Sequence, residues 1–217
     1  MNLPAKTAAA VLAVLLLGFV LRLRFRLGLR GALDAAPLQV FISEALCRSA
    51  RRGCPLRCSY CSTPAIEGAL IRQRSAKAVV ASLAQWRAAG FRRIFFVDNV
   101  FNLPEGYARV LCDRITAARL DIEWRGIIYP GRVSEALVRA MARAGCRDVS
   151  LGFESGFQPI LDAMHKRFSL DEVRGTARLL ADHGIGRMGF LLLGGPGETR
   201  ETAVQSLAFA DSLELET

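Results

Sequence analysis

The chain has 217 residues, 52% hydrophobic and 23% charged, with 6 cysteines. That length carries a core and that composition excludes intrinsic disorder. The net charge of +9 is lopsided, because residues 1–53 hold 8 basic and 2 acidic side chains and the remainder is only mildly basic. High pI is therefore weak support for a nucleic-acid partner, and none is expected.

Residues 1–42 form an apolar and basic segment, and residues 43–217 form the globular part. In the first segment Lys6 precedes an apolar run from Thr7 to Leu21, and Arg22, Arg24, Arg26 and Arg30 follow. The run falls short of the roughly 20 residues that span a bilayer as a helix. Three readings stand side by side. It is a short membrane anchor with the arginines on the cytoplasmic side, an interfacial or buried helix, or a misassigned start. The expectation is a cytoplasmic protein, with a membrane contact available through residues 7–21.

Beyond residue 43 the pattern alternates. Segment 44–51 reads as a first strand. Ser75 reads as the N-cap of a helix carrying Val79, Val80, Leu83 and Trp86, and Gly90 ends it. Phe91–Val97 is β-rich and closes on Asp98 and Asn99. Pro104 suits the first turn of a helix, with Tyr107, Val110, Leu111 and Ile115 on one face. Ile122–Tyr129 reads as the next strand. Ser134, Leu137, Val138, Met141 and Gly145 mark a helix, and Asp148–Phe153 a further strand. Ser169 and Glu172 form a capping box opening a helix to His183. Met188–Leu193 is apolar enough for a parallel strand buried on both faces. A last helix starts near Thr199 and runs to about Leu215. Five strand–helix units predict an α/β fold built on a parallel sheet or barrel.

Cys54, Cys58 and Cys61 stand in RGCPLRCSYC with spacing C-x3-C-x2-C. Three thiolates this close can converge on one metal centre. An odd number argues against a disulfide framework. Zinc would want a fourth ligand, while a four-iron cluster held by three thiolates keeps one iron open. On spacing alone, cluster, zinc and chance all remain. Cys47, Cys112 and Cys146 read as small buried hydrophobes. Phe95, Phe96 and Trp124 read as core, His165 and His183 as helix-end residues. Arg51 and Arg52 read as charges offsetting the cluster, and Arg125 as meeting a carboxylate inside the barrel or an exposed Glu.

With VDNVFNLP, SLGFESG and GFLLLGGPGET following the cysteines, residues 44–217 resemble the radical S-adenosylmethionine (SAM) superfamily. The stretch CSTPAIEG is most similar to members that carry a cobalamin-binding domain. The resemblance implies a partial (β/α)6 TIM-like barrel with its site at the C-terminal strand ends. About five β/α units are present here, so the core reads as C-terminally incomplete.

The same resemblance implies that Cys54, Cys58 and Cys61 hold a [4Fe-4S] cluster. SAM would chelate its open iron and be cleaved reductively to a 5′-deoxyadenosyl radical. An external electron donor is implied, and the substrate is unknown. Tyr60 would lie near the adenine. Glu154 and Ser155 would meet the ribose and methionine, and Gly194 and Gly195 would pass beside SAM. Asp98 and Asn99 stand where many members have Gly-Gly-Glu, so Asp98 is a candidate acceptor in place of that stretch. The Asp-x-His-x-x-Gly motif for cobalamin is absent, and no cobalamin binding through it is expected. The competing reading is an inactive truncated remnant or interaction module that retains a cluster or zinc site.

Overall fold

Side-chain caps begin four of the helices where the sequence predicts them. Ser75 accepts from the Ala78 N–H and Ser134 from the Leu137 N–H, while Ser169 and Glu172 close a reciprocal capping box. Thr199 does the same with Thr202. Each satisfies backbone donors that a helix start leaves without partners. The computed structural model describes residues 49–216. The apolar run Thr7–Leu21, its flanking arginines and most of segment 44–51 lie outside the described residues.

In chain order the elements are β1 (Arg51–Arg52), α1 (Thr63–Ile66), β2 (Arg72–Gln73), α2 (Ala76–Ala88) and β3 (Arg93–Phe96). Then come α3 (Glu105–Ala118), β4 (Glu123–Ile128), α4 (Glu135–Arg143) and β5 (Cys146–Glu154). The chain continues through α5 (Gln158–Ala163), α6 (Leu170–Asp182), β6 (Gly186–Leu191) and α7 (Arg200–Asp211). Pro104 caps α3 from outside instead of sitting in its first turn.

Strands β3, β4, β5 and β6 form one parallel sheet in that order. The fold is α/β, with the strand–helix alternation of a partial TIM-like barrel. Alternation along the strands divides the sheet's two faces. Ile94, Phe96, Trp124, Ile128, Val149, Leu151 and Phe153 are buried in one core with Leu83, Leu111, Leu137, Met141, Val173 and Leu180. Phe96, Phe101 and Trp124 meet within it in tilted and edge-to-face contacts, with ring centroids 4.6–5.2 Å apart. The Trp124 indole donates to the Ala144 carbonyl at 2.9 Å, so its polar edge is not orphaned. Phe95 points to the other face, where the Arg125 guanidinium lies 4.8 Å from its ring centroid.

The expected first strand behaves differently. Arg51–Arg52 pairs antiparallel with Arg72–Gln73 instead of joining the parallel sheet. Its backbone explains why. The Arg51 N–H, which could serve a neighbouring strand, donates to the Asp98 carboxylate at 3.0 Å. Gly53 then turns the chain with φ +85°, and a Cβ there would lie 2.2 Å from the Leu70 carbonyl oxygen. The sheet of the described residues therefore has four strands. Strand β6 lies at its edge and is only partly buried, with Phe190 41% exposed, so it is not covered on both faces. The last helix ends at Asp211.

Candidate metal and cofactor site

The cysteine loop runs from Gly53 to Cys61 and is tied down at both ends. At its start, Glu67 Oε2 accepts from the Gly53 N–H at 3.1 Å and from Asn99 Nδ2 at 2.7 Å. The Cys54 N–H donates to the Gly68 carbonyl at 3.2 Å. Asn99 lies just beyond β3, so this end is pinned to the C-terminal end of that strand. At its far end, the Ser59 N–H donates to the Met164 carbonyl at 3.1 Å, and Ser59 Oγ to the Ala163 carbonyl at 3.2 Å. The Tyr60 hydroxyl donates to Glu154 Oε1 at 2.8 Å. Glu154 is the last residue of β5, so the loop bridges two strand ends.

Cys54 is buried, and Cys58 and Cys61 are half-buried. Burial pushes the Cys54 and Cys58 thiols above the ordinary range. Cys54 feels Cys61, and Cys58 feels both other thiols, so the three lie within electrostatic reach of one another. Among the described residues, however, no three His, Cys, Asp or Glu side chains already converge as a metal cage. The fit to an iron–sulfur cluster rests on the donor set: three thiols within eight residues, Cys54 to Cys61, on a loop pinned at strand ends. Cys112 and Cys146 lie apart in the core, at 0% and 2% exposure. Burial raises the Cys112 thiol to about 12, which makes it inert at neutral pH.

The remaining residues that the sequence nominates divide sharply. Tyr60 and Glu154 meet each other beside the loop. Gly194 follows β6 with φ +82°, and its N–H donates to Glu198. Gly195 lies against the Met164 side chain, where a Cβ would come within 2.7 Å of Cε. Met164 also carries the carbonyl that holds Ser59, so the glycine turn and the cysteine loop share one neighbour. Ser155 is elsewhere in effect. It is fully buried, its Oγ is 3.0 Å from Ser206 Oγ, and it accepts from the Phe157 N–H at 3.1 Å. Those bonds clamp the end of β5 to α7 and use the hydroxyl internally.

Asp98 is likewise committed. At 1% exposure, its two oxygens accept from Arg51, Oδ1 from the N–H at 3.0 Å and Oδ2 from Nε at 3.2 Å. The same guanidinium donates to the Leu103 and Phe101 carbonyls and stacks 4.9 Å from the Tyr107 ring centroid. Burial pushes the Asp98 carboxyl up and the Arg51 guanidinium down, each against the pull of its partner. Arg51 is therefore a buried tether between β1 and β3, where the sequence suggested a charge beside the cluster.

Two further residues take part: Glu67 lies in the CSTPAIEG stretch, and Lys166 carries no plain sequence signal. Glu67 follows a one-turn helix and gathers Gly53 and Asn99. Lys166, in the loop after α5, buries its ammonium 3.1 Å from the Gly152 carbonyl and 3.2 Å from Glu154 Oε1.

The radical SAM superfamily model matches residues 50–210. The chain belongs to the radical SAM superfamily. Members of this superfamily use a [4Fe-4S] cluster and SAM. An uncharacterised methyltransferase of Pyrococcus horikoshii is 29% identical over 166 residues, covering 76% of this chain and 36% of its own length. The bacteriochlorophyllide d C-12(1)-methyltransferase of Chlorobaculum tepidum is 29% identical over 151 residues, 67% of this chain and 32% of its own. Among solved structures, the radical SAM methyltransferase TsrM of Kitasatospora setae, with cobalamin and a [4Fe-4S] cluster bound, superimposes with a TM-score of 0.73 at 25% identity. That match covers 76% of this chain and 32% of TsrM. The radical SAM chain described here thus spans about a third of the length of these relatives. Among its described residues no helix is long and apolar enough to cross a membrane.

Proposed function

We propose that residues 43–217 are a radical SAM core that cleaves SAM reductively at a cluster held by Cys54, Cys58 and Cys61, with residues 1–42 as a separate segment. When bound, the cluster supplies the electron that breaks the sulfonium of SAM. The chain's own residues have three tasks. The cysteine loop fixes the thiolates at the strand ends. Glu154 presents a carboxylate to the ribose hydroxyls: Tyr60 and Lys166 both bind Oε1, which leaves Oε2 for the ligand. The Gly194–Gly195 turn lets backbone pass close beside SAM without a side chain in the way.

The observation that carries this reading is the Tyr60–Glu154 bond, which joins the cysteine loop to the strand end that the family pattern assigns to SAM. An external one-electron donor is required, and the substrate is a molecule still to be identified. Anaerobic reconstitution followed by SAM and a strong reductant tests the reading. The expected products are 5′-deoxyadenosine and methionine, and intact SAM in the presence of a full cluster would overturn it.

The names of the two curated relatives and of TsrM favour methyl transfer as the reaction class. S-adenosylhomocysteine formed alongside 5′-deoxyadenosine would support that second reading.

A further inference from the structure

Lys166 is a charge where a chain ordinarily keeps none. Its side chain is 4% exposed, and its carboxylate partner Glu154 is 12% exposed. The ring centroids of Tyr60, Tyr129 and Phe168 lie 5.3, 5.9 and 5.8 Å from Nζ. Three rings, one carbonyl and one carboxylate therefore surround the ammonium. Long lysine side chains usually run their ammonium out to solvent, so a buried one is costly and held for a reason. Burial also leaves its field poorly screened.

What that field reaches is the cysteine loop. Tyr60, whose ring Lys166 faces, sits between Cys58 and Cys61 in sequence, and Ser59 is bonded to Met164, two residues before the lysine. Lys166 Nζ lies 5.3 Å from the centroid of the Tyr60 ring, whose hydroxyl in turn donates to Glu154 at 2.8 Å, so the buried pair and the cysteine loop are in direct contact.

We propose that Lys166 is a positioning residue that sets the charge at the cluster site, so that its buried ammonium raises the potential at which a cluster on Cys54, Cys58 and Cys61 accepts an electron. A cluster held by this loop would gain one negative charge on reduction, and a buried positive charge facing the loop would favour that form. The inference rests on the cluster reading above and deepens it. Nothing covalent changes on the protein: one electron passes from a reductant to the cluster, and the reductant is oxidised.

The test is a redox titration of the full chain, anaerobically reconstituted and equilibrated with mediator dyes, read by electron paramagnetic resonance. Wild type is compared with Lys166→Arg, Lys166→Gln and Lys166→Met, and iron per chain is measured in each. Glutamine keeps a donor for the Gly152 carbonyl without the charge, and arginine keeps the charge. The expected result is a midpoint shifted to lower potential in Lys166→Gln and Lys166→Met, with Lys166→Arg near wild type. Loss of iron in both neutral variants but not in Lys166→Arg supports the same claim, because the charge is then needed for assembly itself. Equal midpoints in all four proteins overturn it, as does a wild-type midpoint in Lys166→Gln or loss of iron from all three variants. Absence of iron from wild type would instead refute the underlying cluster reading.

Discussion

The Tyr60 hydroxyl donates to Glu154 Oε1 at 2.8 Å across 94 residues of sequence. Because Glu154 also pairs with Lys166 at 3.2 Å, one carboxylate joins the cysteine loop, the end of β5 and the segment after α5. Its structural role and the SAM contact proposed for it can be separated experimentally.

Changing Glu154 to Gln removes the counter-charge of a nearly buried lysine. Breaking one side of a buried pair costs about 3–5 kcal/mol. The Glu154→Gln protein is expected to unfold at lower urea by an amount toward the low end of that range, because Tyr60 still finds an acceptor in the amide. Its affinity for SAM should also fall, by the roughly 1.5–3 kcal/mol of a charged hydrogen bond. Urea unfolding of the apo-protein and SAM titration of the reconstituted protein measure the two effects apart. A variant that loses neither would make Glu154 an ordinary turn residue.

The Arg51–Asp98 pair should behave as a buried structural tether. Arg51→Met keeps the backbone N–H on Asp98 Oδ1 but removes the guanidinium from Oδ2 and from the Phe101 and Leu103 carbonyls, leaving a buried carboxylate without its counter-charge, and a loss of about 3–5 kcal/mol is expected. The double variant Arg51→Met with Asp98→Leu should recover part of it, because no buried charge is left alone. A double-mutant cycle in urea gives the coupling directly. Additive losses would mean that the two residues do not act as a pair.

Gly156 ends the SLGFESG motif for a packing reason. A Cβ there would lie 2.4 Å from Phe209 Cβ and 2.8 Å from Ser206 Cα, on the facing side of α7. Backbone that close cannot move aside without shifting the helix. Gly156→Ala is expected to cost about 1–3 kcal/mol, the usual range for forced overpacking. Thermal unfolding by circular dichroism checks this, and an unchanged midpoint would show that α7 shifts freely.

Long elements with periodic cores were readable from sequence, because caps and hydrophobic spacing are local signals. Ser75, Ser134, Ser169 and Thr199 all cap helices, and the runs around Phe96, Trp124, Leu151 and Phe190 all fall in strands. One-turn helices such as Thr63–Ile66 and the two-residue β1–β2 ladder have no period to read. At the site, the cysteines announce themselves by spacing, but the fates of polar residues depend on partners far away in sequence. Asp98 looks like a free strand-end acceptor until Arg51, 47 residues earlier, takes both its oxygens. Ser155 looks like part of a ligand contact until Ser206 closes over it. Lys166 resembles any loop lysine until three rings surround it.

The central claim is that Cys54, Cys58 and Cys61 together hold the iron–sulfur cluster. Iron and acid-labile sulfide per chain, measured after anaerobic reconstitution of wild type, Cys112→Ala, Cys146→Ala and the triple variant Cys54→Ala/Cys58→Ala/Cys61→Ala, address it most directly. Each loop thiolate supplies a bond that alanine cannot, while Cys112 and Cys146 are sealed in the core. Wild type and the two core variants should carry the same iron and sulfide, and the triple variant should carry almost none. Iron retained by the triple variant, or lost on changing Cys112 or Cys146 alone, would contradict the assignment.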